Sequence, residues 1–118
     1  MATKRAIGGQ YETKAIHYLE SIGYILIIKN YFTPRGEIDL VLSRADKLYF
    51  VEVKYRASTT YGSPREAITP KKISHMKQAA LYYIKKECSI YTPFVISFMG
   101  IKREGEQLHF DFIENIFS

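Results

Sequence analysis

The sequence predicts an α/β domain, a mixed β-sheet flanked by two helices in the order α-β-β-β-α-β-β. Three observations lead there. Apolar residues recur at helical spacing over residues 3–21 and again from Thr69 onward. Runs rich in β-branched, aromatic and aliphatic residues fill 24–29, 37–43, 48–55, 94–99 and 107–113. The second helical segment is long enough to cross over between parallel strands, whereas Arg44-Ala-Asp-Lys47 closes an antiparallel hairpin.

At 118 residues the chain is expected to form one domain, 1–118, with a single core. Hydrophobic residues make up 47% and charged residues 25%, the balance of an ordinary soluble globule. The longest apolar run, 24–28, is far short of a spanning helix. The start, Met-Ala-Thr-Lys-Arg, has no apolar region behind it and does not resemble a secretory signal. Cys88 stands alone, which excludes an internal disulfide and thiolate metal clusters and fits a reducing cytoplasm.

The first helix carries the stripe Ile7, Tyr11, Ala15, Tyr18 and Ile22, with Gly23 as the residue that ends it. Glu12 lies beside that stripe; on sequence grounds alone it is an exposed helix glutamate, since Glu is rarely buried. Residues 24–29 form a continuous apolar strand, and 30–35 a loop broken by Pro34. The hairpin 37–55 follows. Residues 57–65 are polar and flexible, a substrate-handling loop or simply a connection. Thr69 is a good N-cap and Pro70 a good first residue for the second helix, which buries Ile73, Met76, Ala80, Tyr83 and Ile84. Lys71, His75, Gln78 and Tyr82 fall on another stripe; a lone surface histidine is more often inert than catalytic. A core strand at 94–99, a turn at 103–106 and a last strand at 107–113 complete the chain.

The hairpin is unusual because both of its apolar strands carry carboxylates. Alternation puts Ile38, Leu40 and Leu42 on one face of the first strand and Glu37, Asp39 and Val41 on the other; on the second, Val51, Val53 and Tyr55 oppose Phe50, Glu52 and Lys54. An isolated carboxylate in an apolar setting costs several kcal/mol unless a cation or hydrogen bonds compensate it. Mg²⁺ or Mn²⁺ suits such hard oxygen donors. A solvated strand face with a Lys54–Glu52 ion pair is the alternative, and these residues alone leave both open.

The net charge of +5 favours polyanionic partners, and its distribution says more than its total. Lys54, Arg56, Arg65, Lys71, Lys72, Lys77, Lys85 and Lys86 crowd the middle of the chain against Glu66 and Glu87, while the stretch after Arg103 is acidic. A phosphodiester site needs this pairing: cations for the backbone, carboxylates for a metal.

Asp39 followed by Glu52-Val53-Lys54 resembles the core motif of the PD-(D/E)xK, or restriction-endonuclease-like, nuclease superfamily. The wider run resembles the YraN-like family, related in fold to Holliday junction resolvases. It comprises Gly8 and Glu12, Asn30-Tyr31, Gly36-Glu37-Ile38-Asp39-Leu40, Phe50-Val51-Glu52-Val53-Lys54-Tyr55-Arg56 and Ala67-Ile68-Thr69-Pro70-Lys71-Lys72. Tyr11, where a second glycine is usual, and Ile38, where the superfamily's name expects proline, depart from the pattern. The resemblance implies a restriction-endonuclease-like core with Asp39, Glu52 and Lys54 as catalytic residues. It implies Mg²⁺ or Mn²⁺ held by Asp39, Glu52 and the Val53 carbonyl, with Glu12 completing the site. The pair Gln78 and Tyr82 resembles a DNA-holding motif of RecB-type nucleases, and Arg56, Lys71 and Lys72 are expected to bind nucleic acid, DNA ahead of RNA. No helix studded with Arg, Asn and Gln is visible for base-edge contacts, so selection by nucleic-acid structure is expected. The expected function is thus a metal-dependent endonuclease; the alternative is a non-catalytic nucleic-acid-binding module. A homodimer would supply the two sites that a four-way junction requires, with Tyr49, Tyr55, Tyr61, Tyr91 and Phe117 as candidate exposed aromatics.

Overall fold

The computed structural model describes residues 4–58 and 62–116. Its elements are α1 (Lys4–Ser21), β1 (Ile25–Thr33), β2 (Gly36–Arg44), β3 (Lys47–Arg56), a 3-10 turn (Pro64–Ala67), α2 (Pro70–Glu87), β4 (Phe94–Glu104) and β5 (Gln107–Ile113). The expected α-β-β-β-α-β-β order is present. The five strands form one sheet in the order β1-β2-β3-β4-β5, antiparallel except between β3 and β4, which α2 connects as a crossover.

Three layers result. On one face Tyr11, Ala15, Ile16 and Leu19 of α1 pack on Leu40, Leu42, Tyr49, Val51, Met99 and Ile101. On the other, Ala79, Ala80, Tyr83 and Ile84 of α2 pack on Val41, Leu48, Phe50 and Ile96. The central strands are covered on both sides, which is why they read as nearly unbroken apolar runs. Each fully buried aliphatic or aromatic side chain in these layers contributes roughly 1.5–3 kcal/mol. Ala45 and Asp46 adopt left-handed φ of 52° and 62°, giving the two-residue turn whose twist matches the flanking strands. Gly23, at φ 101°, ends α1 as expected.

Several expectations need correction. The first strand runs on to Thr33, so residues 30–33 are ladder and not loop. It is an edge strand, on which Ile25, Ile27, Ile28 and Phe32 are exposed. The buried stripe of α1 is rotated toward Ile16 and Leu19, and Ile22 is exposed; Ile7 and Gly8 lie outside the described side chains. Ile38 packs with Val41 and Phe50 on the α2 face, away from Leu40 and Leu42. β4 extends beyond Met99 to Glu104, so Arg103 and Glu104 belong to the strand and only Gly105 and Glu106 turn. Of the expected loop 57–65, residues 59–61 lie outside the described residues, and its end is anchored: Pro64 is buried against Gly100, where a Cβ would come within 2.9 Å of the Pro64 Cβ. Arg65 is anchored there too, its Nη2 donating to Asp111 Oδ1 at 2.8 Å. Of the candidate exposed aromatics, Tyr49 is buried and Tyr91 is exposed, while Tyr61 and Phe117 lie outside the described residues. No described helix is long and apolar enough to cross a membrane.

Candidate metal centre and nucleic-acid groove

The site forms where β2 and β3 part. Their ladder runs from Arg44↔Lys47 to Leu40↔Val51 and stops, although both strands continue. At the next step the Asp39 side chain takes over from the backbone: Val53 N–H donates to Asp39 Oδ2 at 2.9 Å. Opposite Asp39 on β1, Asn30 is in the left-handed region at φ 57°, which Asn tolerates better than most residues. This kink in both strands accounts for the change of face at Ile38. A strand residue turns its N–H and C=O to the same side. Strand geometry therefore directs the Val53 carbonyl toward the β2 side as well.

Four carboxylates converge here. Asp39 is partly buried, and burial, then the charge of Glu52, push its pKa up to about 8 against the pull of the Val53 N–H; Glu12 and Glu37 add to the rise. Glu12 comes down from α1, half-buried, and is raised by burial first and by Glu37 second. With its amide assigned so that Nδ2 faces the carboxylates, Asn30 bridges the two glutamates, donating to Glu37 Oε1 at 2.7 Å and to Glu12 Oε1 at 3.0 Å. Glu52 is only 6% exposed. It is met by Lys72 Nζ at 3.0 Å and Lys54 Nζ at 3.8 Å, both on Oε1.

Beside Glu52 a groove is lined by Lys54, Arg56, Ala67, Thr69, Lys71, Lys72 and His75. It is built by the end of β3 and the start of α2. The Thr69 hydroxyl caps that helix by accepting the Lys72 N–H at 3.1 Å, and its first turn carries no acidic residue, so charge and helix dipole both favour an anion. Of the predicted nucleic-acid contacts, Arg56, Lys71 and Lys72 come together in this groove. Gln78 and Tyr82 are not among its lining residues: Gln78 Nε2 donates to Ser74 Oγ at 3.4 Å, and Lys86 Nζ donates to the Tyr82 hydroxyl at 3.4 Å. His75, a lone surface histidine of the kind more often inert than catalytic, joins the groove.

The donor set suits a hard divalent cation. Among the described residues no three acidic, histidine or cysteine side chains stand close enough to hold a metal by themselves. The fit therefore rests on Asp39, Glu52 and the Val53 carbonyl, and Mg²⁺ commonly takes only one or two protein carboxylates, leaving its other positions to water and phosphate. Sequence reasoning passed over Glu37 and Asn30 as site residues. The signal was present: Glu37 alternates with Asp39 onto one side of a strand, and Asn30 is a turn-former inside what is otherwise a strand-forming run.

Tyr11 shows how the chain accommodates its departure from the expected glycine. Its ring stacks on Tyr55 at a centroid distance of 3.6 Å, and both hydroxyls accept from Arg103, at 3.1 Å for Tyr11 and 3.2 Å for Tyr55. The bulk is absorbed by a packed, hydrogen-bonded cluster, and Glu12 keeps its approach to the sheet.

Fold and site together define a small α/β domain of restriction-endonuclease-like build. The chain belongs to the YraN-like family: the family model described as "Uncharacterised protein family UPF0102" matches residues 11–114. It is similar to a UPF0102 protein of Syntrophomonas wolfei, 38% identical over 113 residues covering 96% of this chain and 98% of the relative. A UPF0102 protein of Caldicellulosiruptor saccharolyticus is 35% identical over 118 residues, covering 97% and 98% respectively.

Proposed function

We propose that the protein is a metal-dependent endonuclease that hydrolyses phosphodiester bonds in DNA and selects its substrate by structure. The observation that carries this is the opened ladder step at Asp39 and Val53, where a partly buried carboxylate lies within electrostatic reach of Glu52, whose two lysine partners line a basic groove. Asp39, Glu52 and the Val53 carbonyl would hold Mg²⁺ or Mn²⁺, with Glu12 reaching it directly or through water. The ion would supply Lewis acidity toward water and the scissile phosphate. Lys54, on the Glu52 face of β3, would orient the attacking water or offset charge on the phosphate. Arg56, Lys71 and Lys72 would position the backbone without reading sequence. The lone Cys88 suits a cytoplasmic setting.

A non-catalytic binding module is the second candidate, because Lys54 and Lys72 themselves neutralise Glu52. A panel of duplex, flapped, four-way, single-stranded and RNA substrates, each with Mg²⁺ and with Mn²⁺, separates the two. The nuclease is expected to cut at least one branched DNA, and no product on any substrate favours the module. In either case the groove predicts a salt effect. Affinity should fall by about 0.9 per phosphate contact on a log–log plot for duplex DNA. Replacing Arg56 and Lys71 together by Ala should shallow that slope by up to about two units and weaken all sequences alike. An unchanged slope would show that these cations only face solvent.

A further inference from the structure

The two lysines on the buried carboxylate are not equivalent. Lys72 Nζ is the nearer, 3.0 Å from Glu52 Oε1 against 3.8 Å for Lys54. It rises from the first turn of α2, where its own N–H is tied to the Thr69 hydroxyl, so the stem starts from a fixed point. Its side chain is 38% exposed and lines the same groove as Arg56, Lys71 and His75. One ammonium thus stands between the carboxylate assigned to a divalent cation and the channel assigned to the phosphodiester backbone. It cannot serve both in full. A cation arriving on Glu52 is repelled by an ammonium already there, and a phosphate arriving in the groove attracts that ammonium away.

We propose that Lys72 is a positioning residue that couples the two halves of the site. It holds Glu52 while the groove is empty and moves onto a backbone phosphate when nucleic acid enters, leaving Glu52 to the metal. This rests on the nuclease function proposed above and adds to it a mutual strengthening of metal and phosphate binding. By linkage, the factor by which nucleic acid raises metal affinity equals the factor by which metal raises nucleic-acid affinity. Lys54 lines the same groove, but at 3.8 Å it is the weaker partner of Glu52 and has less of a contact to exchange.

The test uses the full chain, wild type against Lys72→Met, which keeps the aliphatic stem and removes the charge, with Lys72→Gln as a second variant should the first fail to fold. Calorimetric titration of Mn²⁺ without nucleic acid is expected to show the variant binding on the order of tenfold more tightly, since the competing ammonium is gone. Removing any ammonium beside Glu52 favours a cation there, so this readout shows the competition and the next one shows the coupling. Binding to a phosphorothioate DNA duplex supplies the second readout: Mn²⁺ should tighten the wild type on the order of fivefold and the variant distinctly less. Unchanged or weaker Mn²⁺ binding by the variant, or an undiminished Mn²⁺ effect on its duplex affinity, overturns the coupling role and leaves the nuclease function standing. A wild type that takes up no Mn²⁺ overturns both.

Discussion

Asp39→Asn should lose cleavage by about a thousandfold or more while melting at a higher temperature than the wild type at pH 8. The two effects have one cause. The amide oxygen of Asn can still accept the Val53 N–H, so the bond that replaces a ladder step survives. What disappears is a negative charge held beside Glu52, Glu12 and Glu37 in a partly buried setting. Removing it relieves repulsion and desolvation, and removes the donor a metal would need. Loss of activity with gain of stability is the mark of a residue kept for chemistry. Lost activity with lost stability would instead make Asp39 a structural strut, and unchanged activity would end its assignment as a catalytic residue.

The stability of the metal-free wild type should fall between about pH 4 and pH 8 and then level off. Asp39 is raised from an ordinary 3.8 to about 8 in the folded protein. Within that window the folded state keeps the proton and the unfolded state releases it, so the unfolded state binds fewer protons and stability declines as pH rises. At 1.36 kcal/mol per unit the decline is at most about 6 kcal/mol. Glu12, also raised by burial, adds to it in the same direction. Asp111 and Glu104, lowered by Arg65 and Lys102 respectively, act oppositely, but their contribution is complete once the pH exceeds the ordinary carboxylate range. Saturating Mg²⁺ or Mn²⁺ should restore about 2–3 kcal/mol at pH 8, and Asp39→Asn should flatten the profile. Thermal melts across the window check this. A wild-type profile that rises toward pH 8, or one that Asp39→Asn leaves unchanged, would show that the carboxylates are not in conflict.

Much of the architecture was legible because it is local. The hairpin announced itself through two apolar runs and a short polar break, and the second helix through Thr69 and Pro70, whose capping preferences depend on neighbours only. The parallel pairing of β3 and β4 followed from the length of α2. What stayed hidden depends on contacts across the sheet. Strict alternation put Ile38 with Leu40, but the Asp39 carboxylate displaces a backbone bond and Asn30 turns left-handed opposite it, a kink that alternation cannot express. Residues 24–29 read as a continuous apolar strand with no sign that it lies at the sheet's edge, because hydrophobicity does not distinguish an edge from a centre. In the site, Asp39, Glu52 and Lys54 were visible through their motif, and Glu12 through the family resemblance. Glu37 was passed over although its alternation with Asp39 signalled it, and the Lys72–Glu52 contact was hidden, since Lys72 reaches Glu52 only once α2 has docked.

Calorimetric titration of Mn²⁺ into the wild type and Asp39→Asn, at a pH above 8 where Asp39 is ionised, tests the central claim most directly. The metal-centre account predicts a saturable site in the wild type, weakened at least about tenfold in the variant, whose melting temperature shows it to be folded. Equal binding by the two proteins, or none by the wild type, would contradict it.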